Sequence, residues 1–414
     1  MFKKLKVVKS FIATKHFADK EQLKEHQQKM LKKLFSDLES GFYPKGEKLE
    51  DFPIINKKIF MANFDKINTI GVTQEEALEV ALKAETSRDF SSTLKGVTIG
   101  LSSGTSGSRG LFLVSEDESA RWAGYILKRM LPRPLLQKHK IAFFLRANSN
   151  LYESMSGALI SFTFYDLLTP IEEHIKALNT AQPTLLIAPA KVLKLLAQSE
   201  TLEISPKKII SVAEVLEDSD REIIEKRFSQ MVHQVYQCTE GFLAHTCSHG
   251  NLHINEDTVY IEKDFIDEKS GRFVPIVTDY ERRSQPVVRY RLDDVLILEK
   301  EPCPCGSVFT RIKKIEGRCD DILKMSSTSG EEYLLYPDFM RRAIISSKSH
   351  VEEYKVVKKG QELHIYLEPL EAKESVEAEL KTLYKVHTIK PLKHLYHPYE
   401  ADALDIKRRR IQEA

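Results

Sequence analysis

Charge of one sign is missing from this chain. Its 62 Lys and Arg are nearly matched by 60 Asp and Glu, a formal net charge of +2 at pH 7, which gives no electrostatic basis for a nucleic-acid or membrane partner. No apolar run approaches the length of a membrane span, and the opening Met1-Phe2-Lys3-Lys4-Leu5-Lys6 leads into no signal-type apolar core. Cysteine is scarce. Five in 414 residues do not make a disulfide scaffold, so the expected compartment is a reducing cytoplasm. Internal repeats and low-complexity tracts are also lacking. What is present, 42% hydrophobic and 29% charged residues, is the balance of a soluble globular protein, and the length predicts two or three domains. The Lys-rich segment from Phe2 to Leu34 reads as an amphipathic helix with a solvated lysine face, with a membrane-surface helix as the alternative.

From about Gly96 to Cys238, apolar runs alternate with helical patterns. Ile141–Leu145, Leu185–Ile187 and Ile209–Val212 are strand-like, while Ile171–Leu178, Lys191–Leu196 and Asp218–Phe228 have helical spacing. This alternation predicts a wound α/β region with a mostly parallel sheet. After Gly241 short β-rich runs, Leu252–Ile254, Thr258–Ile261 and Val287–Tyr290, are separated by charged turns and predict an antiparallel subdomain. Beyond a boundary near Gly317-Arg318-Cys319-Asp320-Asp321, a helix around Asp338–Ser346, strands Tyr354–Val357 and Leu363–Leu367 and a helix Glu374–Tyr384 predict a small α+β domain. The expected organisation is a large wound α/β N-terminal domain over 1–317, with its β-rich subdomain at about 241–317, and a mobile α+β C-terminal domain over 318–414.

Five segments carry candidate chemistry. Ser102-Ser103-Gly104-Thr105-Ser106-Gly107-Ser108-Arg109-Gly110 lies between the strand-like runs Val97–Leu101 and Leu111–Val114. Its glycines let backbone approach a ligand and its hydroxyls can donate to phosphate. It is not a Walker loop, because the second glycine is not followed by Lys and Ser/Thr, and a Ser/Gly-rich hairpin turn fits it as well. Tyr236-Gln237-Cys238-Thr239-Glu240-Gly241 ends the last wound strand, where open α/β sheets place ligands. A hydroxyl beside a carboxylate there can hold a metal-bound triphosphate, although a surface turn is the competing reading. Arg289-Tyr290-Arg291-Leu292-Asp293-Asp294 offers a carboxylate for ribose hydroxyls or is a strand end of alternating charge. Gly317–Asp321 is a site or a polar linker. Phe143–Tyr152 leaves a strand with aromatics, a cation and amides; Phe144, Arg146, Asn148 and Tyr152 suit a flat aromatic carboxylate, with Arg146 as counter-ion and core packing as the alternative for the two phenylalanines.

A chemically separate set is Cys247, His253, Cys303 and Cys305. Three thiolates and an imidazole make a closed tetrahedral Zn²⁺ site with no solvent position, hence structural, with His245 and His249 as alternate ligands. Cys238 and Cys319 read as buried small residues.

In order and spacing, the four segments at 102–110, 236–241, 289–294 and 317–321 resemble the adenylate-forming superfamily of acyl-CoA synthetases and luciferases. Within it they look most like the phenylacetate–CoA ligase branch, near its coenzyme-adenylylating relatives. That branch carries a similar Cys…Gly-Leu-His and Cys-x-Cys-Gly arrangement. The resemblance implies that Ser102, Ser103, Gly104, Thr105, Ser106, Gly107 and Arg109 form a phosphate loop. It implies that Glu214 lines adenine, that Tyr236 binds the nucleotide, that Thr239 and Glu240 lie by the phosphates and Mg²⁺, and that Asp294 binds ribose and Arg318 the nucleotide. It further makes Asp320 the hinge and Lys407 the lysine that polarises the reacting carboxylate, against a basic solvated tail as the other reading. Two departures stand out: Ser108-Arg109 replaces the usual Pro-Lys, and Met325–Gly330 replaces a Gly-Val-Asn type turn that helps dock the small domain, which bears on CoA use.

The implied activity is an ATP- and Mg²⁺-dependent, AMP-forming ligase that activates a small-molecule carboxylate, aromatic by the 143–152 segment, and transfers it to CoA or an acyl carrier protein. Transfer of AMP to a phenolic hydroxyl and a catalytically silent, zinc-stabilised binding protein are the alternatives.

Overall fold

The computed structural model describes residues 2–102, 109–134, 137–145, 159–403 and 406–414. One long mixed sheet organises the larger part of the chain. Its strands run, in spatial order, Val259–Asp267, Arg272–Asp279, Asp294–Glu299, Arg311–Arg318, Leu252–Ile254, Gly241–Thr246, Val232–Cys238, Lys208–Val212, Leu185–Pro189, His139–Leu145 and Ile160–Asp166, with Tyr290–Arg291 paired beside Arg272–Asp279. From Val232–Cys238 to Ile160–Asp166 every pairing is parallel. Gly241–Thr246 then returns antiparallel to Val232–Cys238. The β-rich region after Gly241 therefore continues the wound sheet and is not a separate one.

Helices cover both faces of the parallel strands, as buried parallel sheets require. On one face Ala120, Ala123, Leu127 and Met130 of helix Glu116–Met130 pack with Ile141, Leu185 and Ile210. That helix starts at a capping box, in which Ser115 Oγ accepts from Glu118 N and the Glu118 carboxylate accepts from Ser115 N. On the other face Phe144 stacks on Tyr165, both edge-on to His174 of helix Ile171–Ala181.

The Lys-rich start forms two helices, Phe2–Ala13 and Lys20–Ser36, rather than one. Asp19 explains the break: its extended backbone and its carboxylate, which accepts from Gln22 N, open the second helix as an N-cap. Val287–Tyr290 contributes only Tyr290–Arg291 to the sheet. Among the described residues no helix is long and apolar enough to cross a membrane.

The chain divides into two compact units, Met1–Leu292 with Ile297–Lys314, and Asp293–Leu296 with Ile315–Ala414. The smaller unit has a four-stranded sheet in the order Lys393–Pro398, Glu362–Glu368, Glu353–Lys359, Ile411–Glu413, a ribbon Leu323–Ser326/Glu332–Leu335, and helices Pro337–Ile345 and Lys373–Val386. Val356, Leu363, Ile365, Met340, Ile344, Val376 and Leu380 fill its core. The fold class is α/β with a small α+β portion, as the hydrophobic periodicities predict.

Helix Phe2–Ala13 lies backbone-close on helix Glu116–Met130 because position 124 is glycine. A Cβ there would fall 2.6 Å from Val7 O and 2.8 Å from Phe11 N, closer than real contacts allow. Gly124→Ala is expected to push the first helix off, at a cost of about 1–3 kcal/mol. Thermal denaturation should show the loss, and limited proteolysis should cut within residues 2–19. Wild-type melting together with wild-type protease resistance would refute this packing account.

Candidate functional site

The strands Val97–Leu101 and Leu111–Ser115 pair antiparallel, with Leu101 opposite Leu111. The base of their loop is closed twice: Ser102 N donates to Gly110 O at 2.7 Å, and Gly110 N donates to Ser102 Oγ at 2.7 Å. Ser103, Gly104, Thr105, Ser106 and Gly107 lie outside the described residues. Arg109 is held at the loop base, its guanidinium forked onto the Glu85 carboxylate and its Nε donating to Ser102 O at 3.3 Å. The Glu85 hydrogen bonds hold its pKa above the ordinary arginine value. Its charge is thus already paired with a carboxylate.

Two sequence-nominated segments lie at the carboxyl ends of adjacent parallel strands. Strand Lys208–Val212 ends in Ala213, whose φ of 66° places a non-glycine residue in left-handed backbone, and Glu214 N turns back to donate to Val212 O. The Glu214 carboxylate accepts from Lys191 N at 3.2 Å, at the start of helix Ala190–Gln198. In strand Val232–Cys238, Tyr236 is buried; the half-buried Thr239 and Glu240 form the turn into Gly241–Thr246.

Sequence reasoning did not find the side chains that hold this turn. Arg282, 8% exposed, donates one guanidinium nitrogen to Thr239 O and another to Leu113 O at 3.0 Å. Asp279 accepts from Glu281 N at 2.9 Å and Arg282 N at 3.1 Å, and its Oδ2 lies 3.4 Å from where a Cβ on Gly241 would stand. Nothing in the composition of the charged run Asp279–Arg283 marks it out, because Arg282 meets carbonyls far away in sequence and Asp279 the amides of its own turn.

Asp294, Arg318, Asp320 and Lys407 belong to the smaller unit. Arg318 Nε stands 3.8 Å from Asp294 Oδ1. Asp320 is exposed in the short helical turn Cys319–Asp321, whose Asp321 accepts from Arg318 N at 2.8 Å. Lys407 is half-buried and lies two residues before Arg409, which is anchored to Asp321 by its Nε at 2.8 Å.

The acyl-pocket expectation needs one correction. Phe144 is fully buried on the face of the sheet that carries Tyr165 and His174, so it is a core side chain. Strand alternation turns Phe143 to the opposite face instead. There it lines an apolar cavity of about 50 Å³ between helix Glu116–Met130 and the sheet, with Trp122, Met130, Phe162, Ile187 and Val212. The polar side chain in the lining is Gln237, two residues before Thr239. Arg146, Asn148 and Tyr152 lie outside the described residues.

The thiolate and imidazole set does come together. The Sγ atoms of Cys247, Cys303 and Cys305 and a ring nitrogen of His253 all lie within 4.8 Å of one another. Cys247 Sγ is 3.7 Å from Cys303 Sγ, and Cys305 Sγ is 3.6 Å from His253 Nε2. With Zn–S near 2.3 Å and Zn–N near 2.0–2.1 Å, the edges of a tetrahedral site are about 3.8 Å and about 3.6 Å, so both separations match. Cys247 O accepts from Gly250 N and Cys303 O from Gly306 N, both at 3.1 Å, in turns whose glycines have φ of 75°. His249 N and Ser307 N, each at 3.4 Å, donate to Cys247 and Cys305 sulfur, and Asn251 Nδ2 donates to Cys303 sulfur at 3.2 Å. His253 Nδ1 faces Phe309 O at 3.2 Å, which leaves Nε2 for the cluster. Burial pushes the Cys303 thiol up, but the Cys305 N–H and the neighbouring Cys305, His253 and Asn251 side chains more than offset this and bring it to about 6; Cys305 is pushed up to about 12, chiefly by burial.

Burial also pushes Asp279 up to about 6, against the N–H donor of Glu281. A carboxyl whose pKa is raised on folding contributes its full stability below the unfolded value, near 3.8, and loses it as pH climbs through about 6. Asp279→Asn keeps an acceptor for both N–H groups and stays uncharged. Its stability relative to wild type is expected to rise by on the order of 2–3 kcal/mol between pH 4 and pH 7. Urea denaturation across that range measures it, and a pH-independent difference would overturn the assignment.

No family model matches the chain. Protein CapK of Staphylococcus aureus is 31% identical over 199 residues, 46% of this chain and 42% of that protein, so the match spans less than half of that relative. A solved structure of 2-hydroxyisobutyryl-CoA ligase, in the postadenylation state with R3-HIB-AMP, superposes with a TM-score of 0.64 at 15% identity over 95% of this chain and 89% of that one. The amide bond synthetase McbA of Marinactinospora thermotolerans gives 0.53 at 14% identity over 76% and 67%. ATP-bound MatB of Rhodopseudomonas palustris gives 0.52 at 12% over 76% and 65%. The chain thus shares its fold with these ligases, in the first case over nearly its full length.

Proposed function

We propose that the protein is an ATP-dependent, AMP-forming ligase. The observation that carries this reading is the convergence of Glu214, Tyr236, Thr239 and Glu240 at the carboxyl ends of adjacent parallel strands, in a fold shared with a ligase trapped with an acyl adenylate. A carboxylate oxygen attacks the α-phosphorus of ATP, the bond to the bridging oxygen breaks, and pyrophosphate leaves. A thiol, of CoA or a carrier protein, then gives up its proton and attacks the acyl carbon, expelling AMP. Because both leaving groups are good, the protein's part is positioning and charge stabilisation.

Loop 102–110 would receive the phosphates, Glu214 the adenine, and Asp294 and Arg318 the ribose and nucleotide. Lys407 would polarise the reacting carboxylate, and the smaller unit would turn about Asp320 between the two half-reactions. Glu240 and Thr239 present the carboxylate and hydroxyl oxygens that suit Mg²⁺, which when bound neutralises phosphate charge. The acyl tail would occupy the cavity behind Gln237. Its rings, Trp122, Phe143 and Phe162, favour an aromatic or other apolar acid without charged ring substituents. The cluster Cys247, His253, Cys303 and Cys305 would hold a structural Zn²⁺. Four protein donors leave no place for substrate on it.

Pyrophosphate exchange over a panel of aryl and alkyl carboxylates and phenols tests the reaction. Exchange is expected with apolar carboxylates. Exchange with phenols alone would make the protein an AMP transferase to hydroxyls, and none with any acid would refute the ligase reading. With the accepted acid, Glu240→Gln should lose about 10²–10³-fold in exchange with an unchanged melting temperature, since it removes one positioned charge from an open site.

One zinc per chain is expected by elemental analysis of protein purified without added metal. Cys303→Ser should lose that metal and melt at lower temperature, because metal affinity is here folding energy. A metal-free wild-type protein of full stability would dispose of the zinc site.

A further inference from the structure

Strand Leu111–Ser115 follows the loop that would receive the phosphates, and among the described residues its one strand partner is Val97–Leu101. Its outer edge is covered by side chains instead of a further strand. Leu113 N donates to Gln285 Oε1 at 2.9 Å, and Leu113 O accepts from Arg282 at 3.0 Å. The same guanidinium donates to Thr239 O, in the turn that carries Glu240. A planar cation with forked donors can bridge two carbonyls at a set angle and distance. The strand and the turn belong to different sheets, so no ladder joins them.

The guanidinium is held from behind. Asp279 accepts from Arg282 N. The Glu118 carboxylate accepts from Arg283 N at 2.6 Å, from Ser284 N at 2.8 Å and from Ser284 Oγ. Tyr125 Oη donates to Glu281 Oε2 at 2.7 Å. The segment Asp279–Gln285 is thereby clamped to helix Glu116–Met130, and Glu118 is also the capping residue of that helix, immediately after the loop's exit strand. The buried Arg282 charge and the Glu118 charge favour one another.

We propose that Arg282 is a positioning residue for adenylation: it fixes the separation between strand Leu111–Ser115 and the Thr239–Glu240 turn, on which the placing of ATP at that turn depends. The inference rests on the ligase reading. Arg282 touches no reactant in this account. It acts through the two carbonyls it bridges.

The full-length protein is assayed for pyrophosphate exchange with MgATP and the best carboxylate of the panel. Arg282→Ala should lower kcat about 100-fold, the effect of misplacing reacting groups by about an ångström. KM for the carboxylate should change little, because the cavity behind Gln237 is built from other elements. Arg282→Lys should recover little, since a point charge serves one carbonyl at a time, while guanidinium ion at millimolar concentration should restore part of the Ala variant's kcat and none of the Lys variant's. Amide hydrogen exchange supplies a readout independent of turnover: in Arg282→Ala, residues 110–115 and 239–241 should lose protection together. A variant that merely melts earlier, with wild-type kcat below its transition and no guanidinium response, would overturn the proposal. So would loss of protection in one segment alone. If the wild-type protein shows no exchange with any acid, the ligase reading fails, and joint loss of protection then still decides whether Arg282 links the two elements.

Discussion

The last parallel strand, Val232–Cys238, constrains more of this molecule than any other element. One edge pairs parallel with Lys208–Val212 and the other antiparallel with Gly241–Thr246. A parallel neighbour has to be reached by a crossover, but an antiparallel one can follow directly through a tight turn. The switch therefore puts Thr239 and Glu240 at the carboxyl end of the wound strands with almost no intervening chain. There the parallel sheet leaves its open crevice. The irregular register between Tyr236 and Gln237 falls just before that turn.

The same switch carries the sheet on into the strands that bear the thiolate cluster. Cys247 directly follows Gly241–Thr246, and His253 sits in the neighbouring Leu252–Ile254. Cys303 and Cys305 come from the segment between Asp294–Glu299 and Arg311–Arg318, the latter paired with Leu252–Ile254. The cluster thus ties together turns at one end of neighbouring antiparallel strands, where backbone pairing has run out. The turn at 239–240 and the cluster are chemically independent, but both depend on the Gly241–Thr246 strand staying in place. The Cys305 N–H and the Asn251 side chain favour thiolate at Cys303, while burial disfavours it at Cys305.

Side chains do the joining where strands cannot. The hairpin behind the loop is a small separate sheet, and Arg282 and Gln285 occupy the edge of Leu111–Ser115. Glu118 closes the arrangement by serving both as helix cap and as acceptor for the Arg283–Ser284 backbone. A buried carboxylate with several donors is inexpensive to keep charged. Asp279, with fewer donors, is held well above the ordinary carboxylate range.

Much of this was legible in the chain itself. Periodicity alone separates the strands at 141, 185 and 209 from the helices at 171, 191 and 218, because a buried parallel strand and an amphipathic helix impose different spacings on their apolar residues. Cysteine and histidine chemistry nominated the four cluster residues, and the Ser/Gly loop and Thr-Glu-Gly turn were visible as short motifs. What tertiary structure decided was where side chains point and what far-off backbone they meet. Phe143 and Phe144 are adjacent and alike in sequence; only the position of the covering helices says which enters the cavity and which the core. Arg282 and Asp279 sit in a charged run like any solvated turn, and their roles come from carbonyls and amides that carry no residue identity. A side chain paired with main chain leaves no complementary signature elsewhere in the sequence, and for that physical reason the motifs could be read from residues while the contacts that hold them together could not.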